Sequence, residues 1–170
     1  EIYDYLRLLY ARIGRPHCYK CSKPITSQTI SQMVDQVMKL KDGAKIHVLS
    51  PIVRNRKGEY TKLFANLKQK GFQRVRIDQV IYSLDEDLVL IKTNKHTIDA
   101  VIDKLTVSKK DLRSETYKAN LKTRLSQSIE QALALSSGLA IVSEIQDASF
   151  DFPAKPKKFH DHLFSERFAC

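Results

Sequence analysis

The stretch that decides the fold is residues 44–77, AKIHVLSPIVRNRKGEYTKLFANLKQKGFQRVRI. Its first part, 44–53, alternates apolar and polar side chains, with Ile46 and Val48 on one face. This alternation predicts a strand with one buried side. Residues 54–58, RNRKG, combine three cations with a glycine and predict a basic loop after the strand.

A helix is predicted next, from about residue 59 to residue 70. Its apolar side chains recur at three- and four-residue spacing, as Leu63, Phe64 and Leu67. Gly71 follows and is a typical residue for ending a helix, because glycine readily adopts the left-handed conformation found there.

Further strands are predicted where Val and Ile are dense and turn residues flank them. Residues 72–77 are expected to pair with residues 80–84 across a tight turn. The remaining strands are predicted at 88–92, 97–107 and 139–145, with 139–145 as the last buried strand of the chain.

Three more helices are predicted, at residues 1–13, at residues 30–40 and after Ser114. Thr26, Ser27 and Thr29 are the candidate caps for the second of them. The helix after Ser114 ends near Gly138. It carries apolar residues every four positions, namely Tyr117, Leu121, Leu125, Ile129 and Leu133. Helices and strands in this order predict an α+β fold, with a mixed or antiparallel sheet and packed helices.

Three units are predicted along the chain. Residues 28–146 hold the α+β domain. Residues 1–27 precede it and carry a pair of cysteines. Residues 147–170 read as a linker and a return segment, because Pro153 and Pro156 fall among lysines there.

The positive charge is concentrated in one segment. The chain has 170 residues and a formal net charge of +10. Between Lys39 and Arg76 there are eleven basic and two acidic residues, so this segment carries nearly the whole surplus. Such density favours a dedicated surface for an anionic partner, either carboxylates on a protein or phosphates of nucleic acid.

Two arginines on one predicted strand are the sharpest candidates on this surface. Arg74 and Arg76 are two residues apart and share a face, opposite to Val75 and Ile77. A guanidinium held by a strand suits bidentate pairing with a carboxylate or phosphate. Aromatic residues are sparse in the segment, which argues against a platform that stacks single-stranded bases.

Cys18 and Cys21 have the spacing of half a zinc site, since two thiolates three residues apart can reach one tetrahedral ion. The remaining ligands are open; the candidates are His17, His160, His162 and Cys170. An ordinary pair of reduced thiols is the alternative.

The sequence gives no support for an enzyme. It has five glycines and no phosphate-binding glycine-rich loop, and no nucleophile lies at a suggestive spacing from a base. Three cysteines, an odd number, disfavour a disulfide framework, so a reducing, cytoplasmic location is expected. No apolar run is long enough for a membrane span, and no membrane partner is expected.

Five segments resemble the UvrA family, the damage-sensing subunits of the bacterial excinuclease. They are EIYDYLRLLYARIGRPHC (1–18), TSQTISQMVDQVM (26–38), PIVRNRKGEYTKLFANLKQKGFQRVRID (51–78), KHTIDAVIDKLTV (95–107) and LFSERFAC (163–170). The resemblance covers essentially the whole chain and implies an internal piece of a longer protein. It implies that residues 1–27 are the edge of the first ATP-binding half, 28–146 the UvrB-binding domain, and 147–170 a return towards the signature and zinc region.

The resemblance also implies a role in nucleotide excision repair. A dimer of the parent protein would bind ATP, inspect DNA and pass the damage to UvrB. Arg74 matches a family arginine that pairs with acidic residues of UvrB, and Lys104 lies where the family usually has a second arginine. Cys18 and Cys21 match a CxxC that only some members have, and Cys170 matches the first cysteine of the next CxxC.

The leading interpretation is therefore a non-catalytic domain that docks UvrB through a basic surface. The residues expected to contribute are Arg74, Lys104, Arg76, Arg54, Arg56 and Lys57. The alternative is a nucleic-acid-binding module in which the same basic segment contacts duplex phosphates. An independent enzyme is the third possibility and has no candidate site.

Overall fold

The central strand β1, Ala44–Lys57, organises the molecule, because it pairs with a strand on either side. The structure is a computed structural model that describes residues 1–15, 17, 19, 22, 27–108, 114–147 and 152–167. Its other strands are β2 (Arg74–Ile77), β3 (Val80–Ser83), β4 (Lys95–Val107), β5 (Leu139–Ile145) and β6 (Phe159–Ser165). They form one antiparallel sheet in the order β3-β2-β4-β1-β5-β6. The predicted α+β class is confirmed.

Four helices complete the described structure: α1 (Ile2–Ile13), α2 (Ile30–Met38), α3 (Thr61–Gln69) and α4 (Glu115–Leu135). Thr29 is the cap of α2. Its hydroxyl accepts a hydrogen bond from the Gln32 amide, and the Gln32 side chain accepts one from the Thr29 amide. None of the helices in the described ranges is long and apolar enough to span a membrane.

One face of the sheet carries the helices α2, α3 and α4 and the core. The apolar residues that recur every four positions along α4 pack, together with α2, on Ile46, Val48 and Val142. The α3 side chains Phe64 and Leu67 pack on Val75, Ile98 and Ala100. The α4 stripe ends where predicted, and Gly138 has a φ of +98°, a conformation that glycine adopts without strain.

The opposite face is concave, and an ion pair reveals its curvature. Strands β4, β1 and β5 separate β2 from β6, so a flat sheet would place β2 and β6 about 19 Å apart. Yet Arg76 on β2 lies 2.8 Å from Asp161 on β6. The β1–β4 register shifts at three places, between Val48 and Leu49 and twice beyond Pro51. Such irregularities bend and twist strands, and the sheet curls around its helix-free side.

Three predictions about elements are wrong. Residues 54–57 are not a loop but the end of β1, because Arg56 and Lys57 pair with β4. Residues 88–92 are not a strand; they have no ladder partner among the described residues, and Val89 is exposed. The strand at 139–145 is not the last, since β6 pairs with it along its whole length.

The first helix, α1, is not part of the core of the sheet domain. All side chains of α1 are outside the core, although many are apolar.

The start and the end of the sheet domain are joined by a hydrogen bond. The amide of Gln28, just before α2, donates to the carbonyl of Ser165 at the end of β6, at 2.9 Å. The two ends of the sheet domain therefore meet.

Candidate functional site

Arg74 and Lys104 come together on the sheet, although 30 positions separate them in the chain. Arg74 begins β2 and is exposed, and Lys104 lies on β4 and is half-buried. Val75 pairs with Ala100, which brings the start of β2 beside the part of β4 that carries Lys104. Both side chains line the same two adjoining clefts, so they form one pair of cations on a rigid support.

The first cleft has a volume of about 530 Å³ and lies between the start of β2, β4 and α4. Its walls are both basic and apolar, with Lys70, Phe72 and Ile102 beside the two cations. Apolar walls lower the local dielectric, so a carboxylate entering here would interact more strongly with the cations than it would in open water.

An ion pair closes one side of this cleft. Arg124 on α4 donates to both carboxylate oxygens of Asp103, at 2.7 and 2.8 Å. Asp103 also accepts from the Lys104 amide at 2.7 Å and from Ser128 at 3.1 Å. The one carboxylate adjacent to Lys104 in sequence is thus neutralised by Arg124, which leaves the Lys104 charge for another anion.

The second cleft is smaller, about 250 Å³, and has an aromatic wall. The Phe152 ring centroid is 5.7 Å from Lys104 Nζ and 5.9 Å from Lys45 Nζ. It also lies 5.1 Å from the centre of the His47 ring, tilted by 38°. The carbonyl of Ala154 accepts from the Ile81 amide at 2.7 Å and fixes this wall to β3.

His47 lies beneath Phe152 and is buried, with 2% of its surface exposed. Its Nε2 atom has no hydrogen-bond partner within the described residues. Burial, followed by the charges of Arg76 and Arg74, lowers the pKa of His47 to about 4. The imidazole is therefore neutral at physiological pH and adds no charge to the site.

Arg76 differs from the expectation for it. It is 7% exposed, and its guanidinium lies 2.8 Å from carboxylate oxygens of both Asp99 and Asp161. Burial opposes its charge, but the hydrogen bond with Asp161 and the charge of Asp99 outweigh it and raise the pKa of Arg76. Arg76 shares a face with Arg74 as predicted, but its charge is neutralised within the fold by Asp99 and Asp161.

The other predicted cations lie away from the Arg74–Lys104 pair. Arg56 and Lys57 are exposed and pair with His96 and Lys95. This position is eight to nine residues along β4 from Lys104, or roughly 25 Å. Arg54 is also exposed, and its charge acts on Asp99 at the middle of the sheet. The basic segment is therefore divided between two ends of the sheet.

The proposed zinc ligands Cys18, Cys21 and Cys170 lie outside the described residues. His160 and His162 are on β6, where their rings meet edge to face with centroids 4.5 Å apart. Among the residues that the structure describes, no group of three or more His, Cys, Asp or Glu side chains could hold a metal ion. Zinc stays a prediction.

Phe152 and Asp161 are the site residues that the sequence reasoning missed, because both fall in the segment interpreted as linker and return. One signal was present. Residues 149–153, SFDFP, place two aromatic residues in a stretch whose other residues are polar or small. Aromatic side chains in a linker are a reason to expect a packing role.

Comparisons with known proteins agree on one family. The family model described as the UvrA interaction domain matches residues 28–146. UvrABC system protein A of Clostridium acetobutylicum is 47% identical over 171 residues, covering 100% of this chain and 16% of its own length. The proteins of the same name from Bradyrhizobium diazoefficiens (46% identical, 100% of this chain, 17% of the relative) and Clostridium perfringens (45%, 100% and 16%) are similar. This chain spans about a sixth of the length of these relatives.

Proposed function

This chain belongs to the UvrA interaction domain family, and we propose that it docks an acidic surface of UvrB through Arg74 and Lys104. The docking would serve nucleotide excision repair, the process in which the UvrABC system acts. The observation that carries the proposal is the convergence of these two cations at two adjoining clefts.

The geometry suits carboxylates. The backbone of both residues is already ordered in the sheet, so binding requires little further ordering of the chain. The guanidinium of Arg74 offers a planar fork of donors, and the ammonium of Lys104 offers a second, more compact charge. Together they match a pair of acidic side chains on a protein partner.

The experiment compares two exposed cations of the same segment. Arg74→Ala should speed dissociation from UvrB strongly, because truncating one partner of a desolvated charge pair costs on the order of 2–5 kcal/mol. Lys68 is the matched control. Its ammonium forms an exposed ion pair with Asp85 at 2.9 Å, and Lys68→Ala should leave the dissociation rate nearly unchanged. Equal weakening by the two variants would mean that the segment acts as diffuse charge, and the proposed site would be wrong.

A second function, contact with duplex phosphates, is supported by the other end of the sheet. Arg56, Lys57 and Lys95 are exposed and neighbouring there. Phosphate binding would be independent of DNA sequence and would weaken steeply with salt. In an assay of duplex binding, Arg56→Ala with Lys57→Ala should then lose affinity while Arg74→Ala keeps it.

ATP binding is proposed for the longer protein only. This chain has no phosphate-binding loop, and we expect no ATP hydrolysis from it alone. Turnover that co-purifies with the chain and changes with its substitutions would contradict this. The exposed apolar side chains of α1, Ile2 and Leu9 among them, are consistent with residues 1–27 belonging to a neighbouring ATP-binding unit that covers them.

A further inference from the structure

The segment from Phe152 to Lys158 crosses the concave face of the sheet. Two residues after Phe152, the Ala154 carbonyl accepts a hydrogen bond from the Ile81 amide of β3, the edge strand beside β2. At the other end, the amides of Lys157 and Lys158 donate to the Asp147 carboxylate at 2.8 and 2.9 Å, just beyond β5. We call residues 152–158 the strap. It is held by hydrogen bonds at Ala154 and at Lys157 and Lys158, and the ring of Phe152, two residues before the first of these, packs on His47 of the sheet.

The strap lies outside the region that the family model matches, which ends at residue 146. Nevertheless three strap residues, Phe152, Pro153 and Ala154, line the same cleft as Arg74 and Lys104. The cleft therefore has one wall that the matched domain does not supply.

Phe152 contacts Lys104 in a way that can fix its ammonium. A lysine side chain has a flexible stem and loses rotamer entropy when its ammonium is held in one place. The negative face of an aromatic ring attracts the ammonium within about 6 Å of its centroid, and Lys104 Nζ lies 5.7 Å from Phe152. The same ring packs on His47, which is only 2% exposed.

We propose that Phe152 is a positioning residue of the docking site, which holds the Lys104 ammonium beside Arg74 for an acidic side chain of the partner. This inference rests on the proposed function. It adds that the docking site extends beyond residues 28–146 and is completed by the strap.

The test measures UvrB binding by the full chain with substitutions at Phe152. Phe152→Leu keeps an apolar side chain but removes the ring, and should weaken binding about 3- to 20-fold. Phe152→Tyr keeps the ring and should bind within about twofold of the unsubstituted chain. Phe159→Leu is the matched control, because Phe159 is also an aromatic residue against a cation, with Arg76 5.8 Å from its centroid. It lines neither of the two clefts and should leave binding unchanged.

A double-substitution cycle separates positioning from general loss of structure. If Phe152 acts through Lys104, Phe152→Leu should have little further effect on a chain that already carries Lys104→Gln. An unreduced effect in that background overturns the inference. The NMR titration of His47 reports general loss of structure, because a Phe152→Leu chain that had lost its fold would have a His47 pKa near 6.5 instead of about 4.

The outcomes also separate this inference from the proposed function. If Arg74→Ala and Lys104→Gln weaken binding while Phe152→Leu does not, the docking site stands and the role of Phe152 is wrong. If Arg74→Ala and Lys104→Gln bind UvrB normally, both ideas are wrong.

Discussion

Arg76 on β2 lies 2.8 Å from Asp161 on β6, although three strands separate these two strands in the sheet. The contact ties the strand that presents Arg74 to the last strand of the domain. Asp99 on β4 completes the group, also at 2.8 Å from Arg76. A residue that the charge pattern assigned to the partner surface is thus an internal support for that surface.

The buried ion group predicts a large loss of stability for Arg76→Ala. The change leaves Asp99, 2% exposed, as an uncompensated charge, which typically costs about 3–5 kcal/mol of unfolding free energy. Urea denaturation measures the loss. Asp99→Asn in the Arg76→Ala background should recover part of it, because it removes the unpaired carboxylate.

Arg124→Ala is the matched control for that measurement. Arg124 also makes two hydrogen bonds to a carboxylate, that of Asp103, but its side chain is 60% exposed. An exposed pair contributes about 0–1 kcal/mol. Similar losses of unfolding free energy for Arg76→Ala and Arg124→Ala would mean that burial does not increase the contribution of the Arg76 ion pairs to stability.

His47 predicts a specific acid sensitivity. Its pKa is about 4 in the folded chain against 6.5 for the free side chain. Between these values the unfolded chain binds a proton that the folded chain does not, so the unfolding free energy falls as the pH is lowered from 6.5 towards 4. The full effect is about 3 kcal/mol.

His47→Gln isolates this contribution, since every other titrating group is shared with the unsubstituted chain. The difference in unfolding free energy between the two chains should change by that amount between pH 7 and pH 4. A difference that stays constant with pH would show that His47 does not titrate as the structure requires.

Lys104→Arg should tighten docking to UvrB. A guanidinium keeps the charge, adds a planar fork for a carboxylate and can stack on Phe152, so dissociation should slow by about 2- to 10-fold. Lys45→Arg is the control, because Lys45 faces the same ring but lines neither cleft. Faster dissociation of Lys104→Arg would indicate a cleft that fits only an ammonium.

Zinc binding at Cys18 and Cys21 is testable in the full-length protein. Cys18→Ser should reduce the zinc content by one ion per chain, because a site that loses a thiolate ligand loses most of its affinity. Metal analysis after dialysis against a chelator measures it. An unchanged content would identify the two cysteines as ordinary thiols.

The elements that the sequence predicted well are those with a strong local period. The spacing of Leu121, Leu125 and Ile129 placed α4, and the capping residues around Thr29 placed the start of α2. Residues 88–92 show why apolar composition alone misleads. Their apolar side chains suggested a strand, but a strand needs a hydrogen-bonded neighbour, and in the described part of the chain no strand lies beside them.

The site was predictable in part. Arg74 came from the charge pattern as well as from the resemblance, Lys104 came from the resemblance alone, and both line the same two clefts. The burial of Arg76 depends on Asp99 and Asp161, which lie 23 and 85 positions away, and no local pattern encodes contacts at such distances. The same holds for Phe152, because its partners His47 and Lys104, which face each other in the β1–β4 ladder, lie far from it along the chain.

The hydrogen bond between Gln28 and Ser165 has a consequence for how such a domain can be carried by a longer chain. The entry and the exit of the domain lie side by side, so a host protein needs no extra length to bridge them. The entropy cost of bringing the two ends of the inserted segment together is then offset by the folding of the domain itself. Two neighbouring attachment points also restrict swivelling more than a single tether would. The direction in which the Arg74–Lys104 pair faces would then vary less than it would in a domain held by one tether.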